Sequence, residues 1–210
     1  MFGIVNFETF LLAGIILNIT PGSDTMYILS RSISQGKKAG ILSALGIASG
    51  ALVHILFATL GLSVLLAKSA MAFTVLKYAG ALYLTFLGIK TILPKKEEEF
   101  SIKEELQEAN YKKIYLSGIL TNVLNPKVAL FFLAFLPQFI QEDHVTDSIP
   151  FLILGFTFLT TGTIWCLILA LFASKLSHKI RQNYRLQKRL DKLRGGIFIA
   201  MGVKLALARR

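Results

Sequence analysis

Gly14-Ile15-Ile16-Leu17-Asn18-Ile19-Thr20-Pro21 is an apolar stretch that ends in a helix breaker, and Gly118-Ile119-Leu120-Thr121-Asn122-Val123-Leu124-Asn125-Pro126 resembles it with the proline one residue later. Each lies within an apolar run that matches the hydrocarbon core of a bilayer, which takes about 20 helical residues to cross. Proline removes a backbone donor and clashes with the preceding turn. Inside a bilayer the freed groups find no water, so broken helix is tolerated only where protein or a wet cavity satisfies it. One such proline is a structural kink. Two at matching places mark a pair of interrupted helices as a candidate binding site.

The rest of the chain fits a membrane protein. Of 210 residues, 54% are hydrophobic and 17% charged, whereas soluble chains carry about a quarter charged residues. The apolar residues come in blocks, which predict six transmembrane helices and an all-α polytopic fold. They run near Val5 to Leu29, Gly40 to Leu66, Met71 to Leu93, Ile114 to Ile140, Ile149 to Ala173 and Gly195 to Ala208. The sixth is short and contains Lys204, so it tilts, thins the bilayer or crosses incompletely. The single cysteine, Cys166, has no intrachain partner, which rules out a disulfide framework. The first basic residue, Arg31, follows the first apolar stretch, so that span is expected to be retained and not cleaved as a signal peptide.

A net charge of +11 does not point to nucleic acid, because Lys and Arg lie between the apolar blocks and report topology. The first connection carries Arg31, Lys37 and Lys38, the third six lysines from Lys90 to Lys113, and the fifth eight basic residues from Lys175 to Arg194. These loops are expected in the cytoplasm. The second connection has only Lys68, and the fourth has Glu142, Asp143 and Asp147 without Lys or Arg. Both termini are then expected outside a multi-pass protein of the cytoplasmic membrane, with Arg209 and Arg210 running against the rule. The acidic and basic stretch 94–113 reads as a solvated cytoplasmic linker, and the basic fifth loop reads first as a topology determinant, with contact to anionic membrane lipid, at about 1 kcal/mol per residue near the surface, as the alternative.

Phe86-Leu87-Gly88-Ile89-Lys90 also resembles Ala200-Met201-Gly202-Val203-Lys204. Residues 1–93 and 114–210 thus read as two three-helix repeats. An odd number of crossings per repeat inverts the second relative to the first, as in many secondary transporters.

Several residues carry candidate chemistry. Asn18, Pro21, Gly22, Asp24, Asn125, Pro126 and Lys127 surround the two breaks and form the candidate substrate site. A charge at bilayer depth costs several kcal/mol, so Asp24 and Lys127 are expected to pair, face water or act. They either neutralise each other or receive the ammonium and carboxylate of a zwitterion. Asp24 and His54 are candidates for proton coupling, although a buried histidine also commonly satisfies a backbone carbonyl. Gly36, Gly40, Gly46 and Gly50 read as a close-packing face. No metal site or cofactor is expected, because His54, Asp24, Cys166 and the methionines lack paired spacing. His144 and His178 fall in loops without ligand-like neighbours. No nucleophile stands beside a base, so an enzyme is not expected.

The order of these motifs resembles the LysE/RhtB superfamily of amino-acid exporters over nearly the whole chain. The resemblance rests on Asn18 to Asp24, the glycines through Gly50, and Leu76-Lys77-Tyr78-Ala79-Gly80-Ala81-Leu82-Tyr83-Leu84. It rests most of all on Gly118, Asn125-Pro126-Lys127, Phe131-Phe132 and Leu136-Pro137-Gln138-Phe139. It implies a six-span secondary transporter that exports an amino acid or close derivative by exchange with protons. Ser23 departs from the pattern, where relatives commonly have a second proline, which implies a softer first break. The superfamily also includes relatives credited with metal ions, so divalent-metal efflux is the alternative. The cargo and oligomeric state stay open, and a homo-oligomer is compatible with the sequence.

Overall fold

The computed structural model describes residues 2–62, 70–92 and 110–182, with positions 192, 196, 199–200, 202–203 and 206–207. Most of the expected linker 94–113, the basic stretch beyond Gln182, Lys204 and most of the sixth span lie outside the described residues. The described chain is helical and contains no strand, only an isolated bridge between Ile4 and Ile140.

Helix α1, Phe7–Ile19, ends where Pro21 would break it, with Thr20 already extended (φ −66°, ψ 123°). Helix α2, Ser23–Phe57, follows the break. A straight helix of that length would be about 50 Å long, far more than a bilayer core. The resolution lies at Gly36, whose φ of 85° and ψ of 176° fall in a region that is essentially glycine's alone. The chain doubles back there. A Cβ on Gly40 would strike the Ser32 hydroxyl, although residues eight apart on a straight helix stand about 12 Å apart.

This corrects the expected boundaries. The first span breaks at Pro21 as expected, but its second piece, the arm 23–35, runs past the expected end at Leu29. The connection expected to carry Arg31, Lys37 and Lys38 is a one-residue reversal at Gly36. It follows that Gly36 serves as a turn, with nothing within 4 Å of a Cβ placed on it, and that only Gly40, Gly46 and Gly50 pack closely.

Helix α3, Ala70–Ile92, matches the expected third span, and Gly202 lies against it with a built Cβ 2.8 Å from the Ala81 carbonyl oxygen. Helix α4, Tyr111–Val123, is N-capped by Asn110, whose side chain accepts from the Lys113 amide at 3.0 Å. Helix α5, Pro126–Leu130, continues through a π turn at Phe131–Phe135 and a 3-10 turn at Leu136–Phe139. The path from α4 into α5 bends by 44°. Helix α6, Ser148–Gln182, runs past the expected end at Ala173. By length and composition alone, Ser23–Leu60, which includes the reversal at Gly36, and Ser148–Ala173 each suffice to cross a membrane, and the bent pair α4 and α5 makes a further such path.

The return arm 37–57 runs alongside α4. Gly46 lies against Tyr115 and Gly118, Gly50 against Ile119 and Asn122, and the Lys38 ammonium sits 4.4 Å from the centre of the Tyr111 ring. The outgoing arm 23–35 runs the other way, with the Tyr27 hydroxyl donating to the Ile114 carbonyl at 2.7 Å. Basic residues 31, 37, 38, 112 and 113 therefore gather at one end of the bundle. The opposite end holds Glu142, Asp143 and Asp147 beside the start of the chain, where the Val5 amide donates to Phe139 at 2.9 Å and the Gln141 amide to Gly3 at 2.8 Å. Consequently α1 begins where the α5 path ends, and the two run antiparallel.

Phenylalanine rings fill the space between α1, α5 and α6. Phe131 stacks on Phe158 at 4.8 Å, and Phe10 meets Phe139 edge-on at 5.3 Å, geometries that suit the ring quadrupole. A second core joins Ile28, Ala44 and Ile47 to Leu169 and Ala170. Leu45, Leu52, Leu56, Leu120, Phe156 and Ile164 point outward. An apolar surface of that extent belongs against lipid.

Candidate functional site

In an α-helix each carbonyl accepts from the amide four residues on. Pro21 therefore leaves the Leu17 carbonyl without its helical donor, and Pro126 does the same to Asn122. The structure supplies both with side chains from the other half of the chain. The Lys127 ammonium donates to Leu17 O at 3.0 Å and to Thr20 O at 3.0 Å. The His54 ring places Nε2 3.0 Å from Asn122 O, which also accepts from the Asn125 amide at 2.9 Å. A carbonyl only accepts, so the hydrogen is assigned to Nε2 of His54. The same ring stacks on Phe132 at 5.8 Å.

Asp24 stands in the first turn of α2, where the helix dipole favours an anion. Its Oδ2 accepts from the Asn122 and Asn125 side-chain amides, at 2.9 Å each. Its Oδ1 is buried and has no partner. Asn125 also caps α5, accepting from the Lys127 amide at 3.1 Å. The acid is thus held by amides and the base by carbonyls. Each group is therefore held by neutral dipoles.

Asp24, Lys127, Asn18 and Asn122 line one cavity of ≈ 30 Å³, together with Thr25, Ile47, Ala51, Val128, Phe158, Leu159, Gly162 and Cys166. A volume of that size holds little more than water. Asn18 is held by Thr161 Oγ1 at 3.2 Å and Phe158 O at 3.4 Å, and Gly162 makes room for it, since a Cβ there would stand 3.0 Å from Asn18 Oδ1. Gly22 lies beside Lys127, a built Cβ falling 3.4 Å from the ammonium.

The expected site residues therefore converge. Pro21, Gly22 and Pro126 make the breaks, Asn18, Asp24 and Lys127 line the cavity, and Asn125 touches Asp24. His54 does not line the cavity and reaches Asp24 only through Asn122. Asn122 was missed as a site residue, although its place four residues before Pro126 and opposite Asn18 in the repeat was a signal. Thr161, Gly162 and the apolar wall carry no local signal, because α6 has no break. Among the described residues, no three of His, Cys, Asp and Glu gather as a metal would need.

A family model described as "LysE type translocator" matches residues 15–209. An uncharacterized membrane protein of Bacillus subtilis, YrhP, is 34% identical over 199 residues, covering 90% of this chain and 93% of the relative. An uncharacterized membrane protein of Vibrio cholerae is 32% identical over 201 residues, covering 95% and 96%. The leucine efflux protein of Klebsiella pneumoniae is 28% identical over 208 residues, covering 98% and 96%. No solved structure matches significantly. With the family model spanning nearly the whole chain and membrane-protein relatives matching end to end, the chain belongs to the LysE type translocator family, a family of membrane transporters.

Proposed function

We propose that this protein exports a neutral amino acid with an aliphatic side chain, in exchange for a proton, through the cavity between the two breaks. The observation that carries the reading is the separated acid and base: Asp24 Oδ1 is unpartnered while Lys127 is held by carbonyls. A zwitterion's ammonium fits Asp24 and its carboxylate fits Lys127. Among the described residues no other acid or base lines the cavity apart from the thiol of Cys166, and Ile47, Ala51, Val128 and Leu159 are apolar, which favours an uncharged side chain. The leucine efflux relative agrees with that choice. Asp24 Oδ1 is also where a proton would bind, so cargo and proton compete for one oxygen. Such competition is what exchange through a single site requires.

The wider architecture we read as six spans in two inverted repeats, 1–93 and 114–210, with the basic end in the cytoplasm and both termini outside. Matching 13-residue helices before each break and the antiparallel course of α1 and α5 support this. The test is counterflow in proteoliposomes across a panel of amino acids, with and without a pH gradient. Uptake of neutral aliphatic amino acids, accelerated by the gradient, is expected. Transport of a divalent metal instead, or no response to any amino acid, would refute the reading.

A further inference from the structure

The proline-freed carbonyl of α1 is held by a cation from α5, and that cation also lines the cavity. A structural staple would need only the first property. Lysine has three donors, and Lys127 commits two of them, at 3.0 Å each, to Leu17 O and Thr20 O. The third is free to make first contact with an anion before the other two let go, so the charge is never left bare during the exchange. Gly22 lies beside the ammonium, a built Cβ falling 3.4 Å from it.

We propose that Lys127 is a cargo-released latch: its ammonium closes the cavity by holding the broken end of α1 to α5, and a cargo carboxylate opens it by drawing that ammonium away. The carboxylate half of this inference rests on the amino-acid reading given above; the latch itself does not. It assigns Lys127 a role in coupling occupancy to helix movement, beyond that of a binding residue.

Cys166 is a built-in reporter, being the chain's single cysteine, buried at 9% exposure on the wall of the same cavity. The experiment is the rate at which a membrane-impermeant quaternary-ammonium methanethiosulfonate labels Cys166 in proteoliposomes. The unaltered protein is expected to label slowly, and L-leucine to speed it by roughly tenfold, the effect of releasing one charge-assisted hydrogen bond. Leucinamide, which lacks the carboxylate, is expected to leave the rate unchanged. Lys127→Met should label fast without cargo and ignore leucine, whereas Lys127→Arg, which keeps donors in place, should stay slow. Slow labelling of Lys127→Met would overturn the latch, as would leucinamide working as well as leucine. The leucine and leucinamide arms use the unaltered protein and decide the matter even if Lys127→Met fails to fold. Fast labelling of Lys127→Met with no response of the unaltered protein to any neutral amino acid would support the latch and overturn the amino-acid reading.

Discussion

Replacing Asp24 with Asn separates the role of charge from the role of shape. Asp24 accepts two amide hydrogens on one oxygen, from Asn122 and Asn125 at 2.9 Å each. An Asn side chain can turn its own oxygen to the same two donors, exchanging two charge-assisted bonds for two neutral ones, a loss of about 1 kcal/mol apiece. Against that, a buried carboxylate no longer has to be desolvated, which returns a similar amount. Stability in detergent should therefore move by no more than about 2 kcal/mol in either direction. Binding of the cargo ammonium has no such compensation. Losing one partner of a desolvated charge pair costs about 2–5 kcal/mol, or roughly thirtyfold to several thousandfold in affinity. Counterflow of a labelled amino acid in proteoliposomes reads the second effect, and thermal unfolding of the same preparation reads the first. Asp24→Asn is expected to unfold near the parent temperature while transport falls at least about thirtyfold and loses its response to a pH gradient. Transport at the parent level with the gradient response intact would refute the reasoning. Loss of transport together with collapse of the fold would reduce Asp24 to a structural residue.

Three further substitutions test the frame around it. Gly46→Ala drives a Cβ into the Tyr115 carbonyl oxygen, a backbone contact that cannot swing away, and should destabilise the protein by about 1–3 kcal/mol; an unchanged unfolding temperature would contradict the close approach of α2 and α4. Gly36→Ala meets open space, so its expected cost of about 1–3 kcal/mol arises from backbone strain alone, and thermal unfolding with no loss would argue against the reversal at that residue. Asn125→Ala removes both the cap on α5 and one ligand of Asp24; a loss of about 0.5–2 kcal/mol in stability should come with weaker cargo binding, and normal affinity in counterflow would detach the cap from the site.

The parts of the fold that were legible in the sequence are those with local causes. Pro21 and Pro126 break their helices by removing a donor, which needs no knowledge of the surroundings, and the polar residues beside them do gather at the cavity. The reversal at Gly36 was not legible. The residues on both sides suit a helix, Arg31, Lys37 and Lys38 suggested an open loop, and the turn is made by one backbone conformation with no accompanying Pro, Asn or Asp. The partners of Lys127 and His54 were half legible. That Leu17 and Asn122 must lose their helical donors follows from the four-residue rule alone, but which side chain satisfies each depends on where the return arm of α2 and the start of α5 come to rest. The sequence leaves His54 open between proton relay and carbonyl partner, and its bond to Asn122 supplies the geometry of the second. The π turn at Phe131–Phe135 left no trace in the sequence, since a run of phenylalanine and leucine is compatible with any buried helix.

The central claim is that one cavity grips both charged ends of its cargo, Asp24 the ammonium and Lys127 the carboxylate. Competition against leucine counterflow by analogues that lack one end tests it most directly: isoamylamine keeps only the amine and 4-methylpentanoate only the acid. The account predicts that leucine competes fully and that each analogue is weaker by at least about tenfold, the loss of one charge-assisted contact. Equal competition by either one-charged analogue would contradict it.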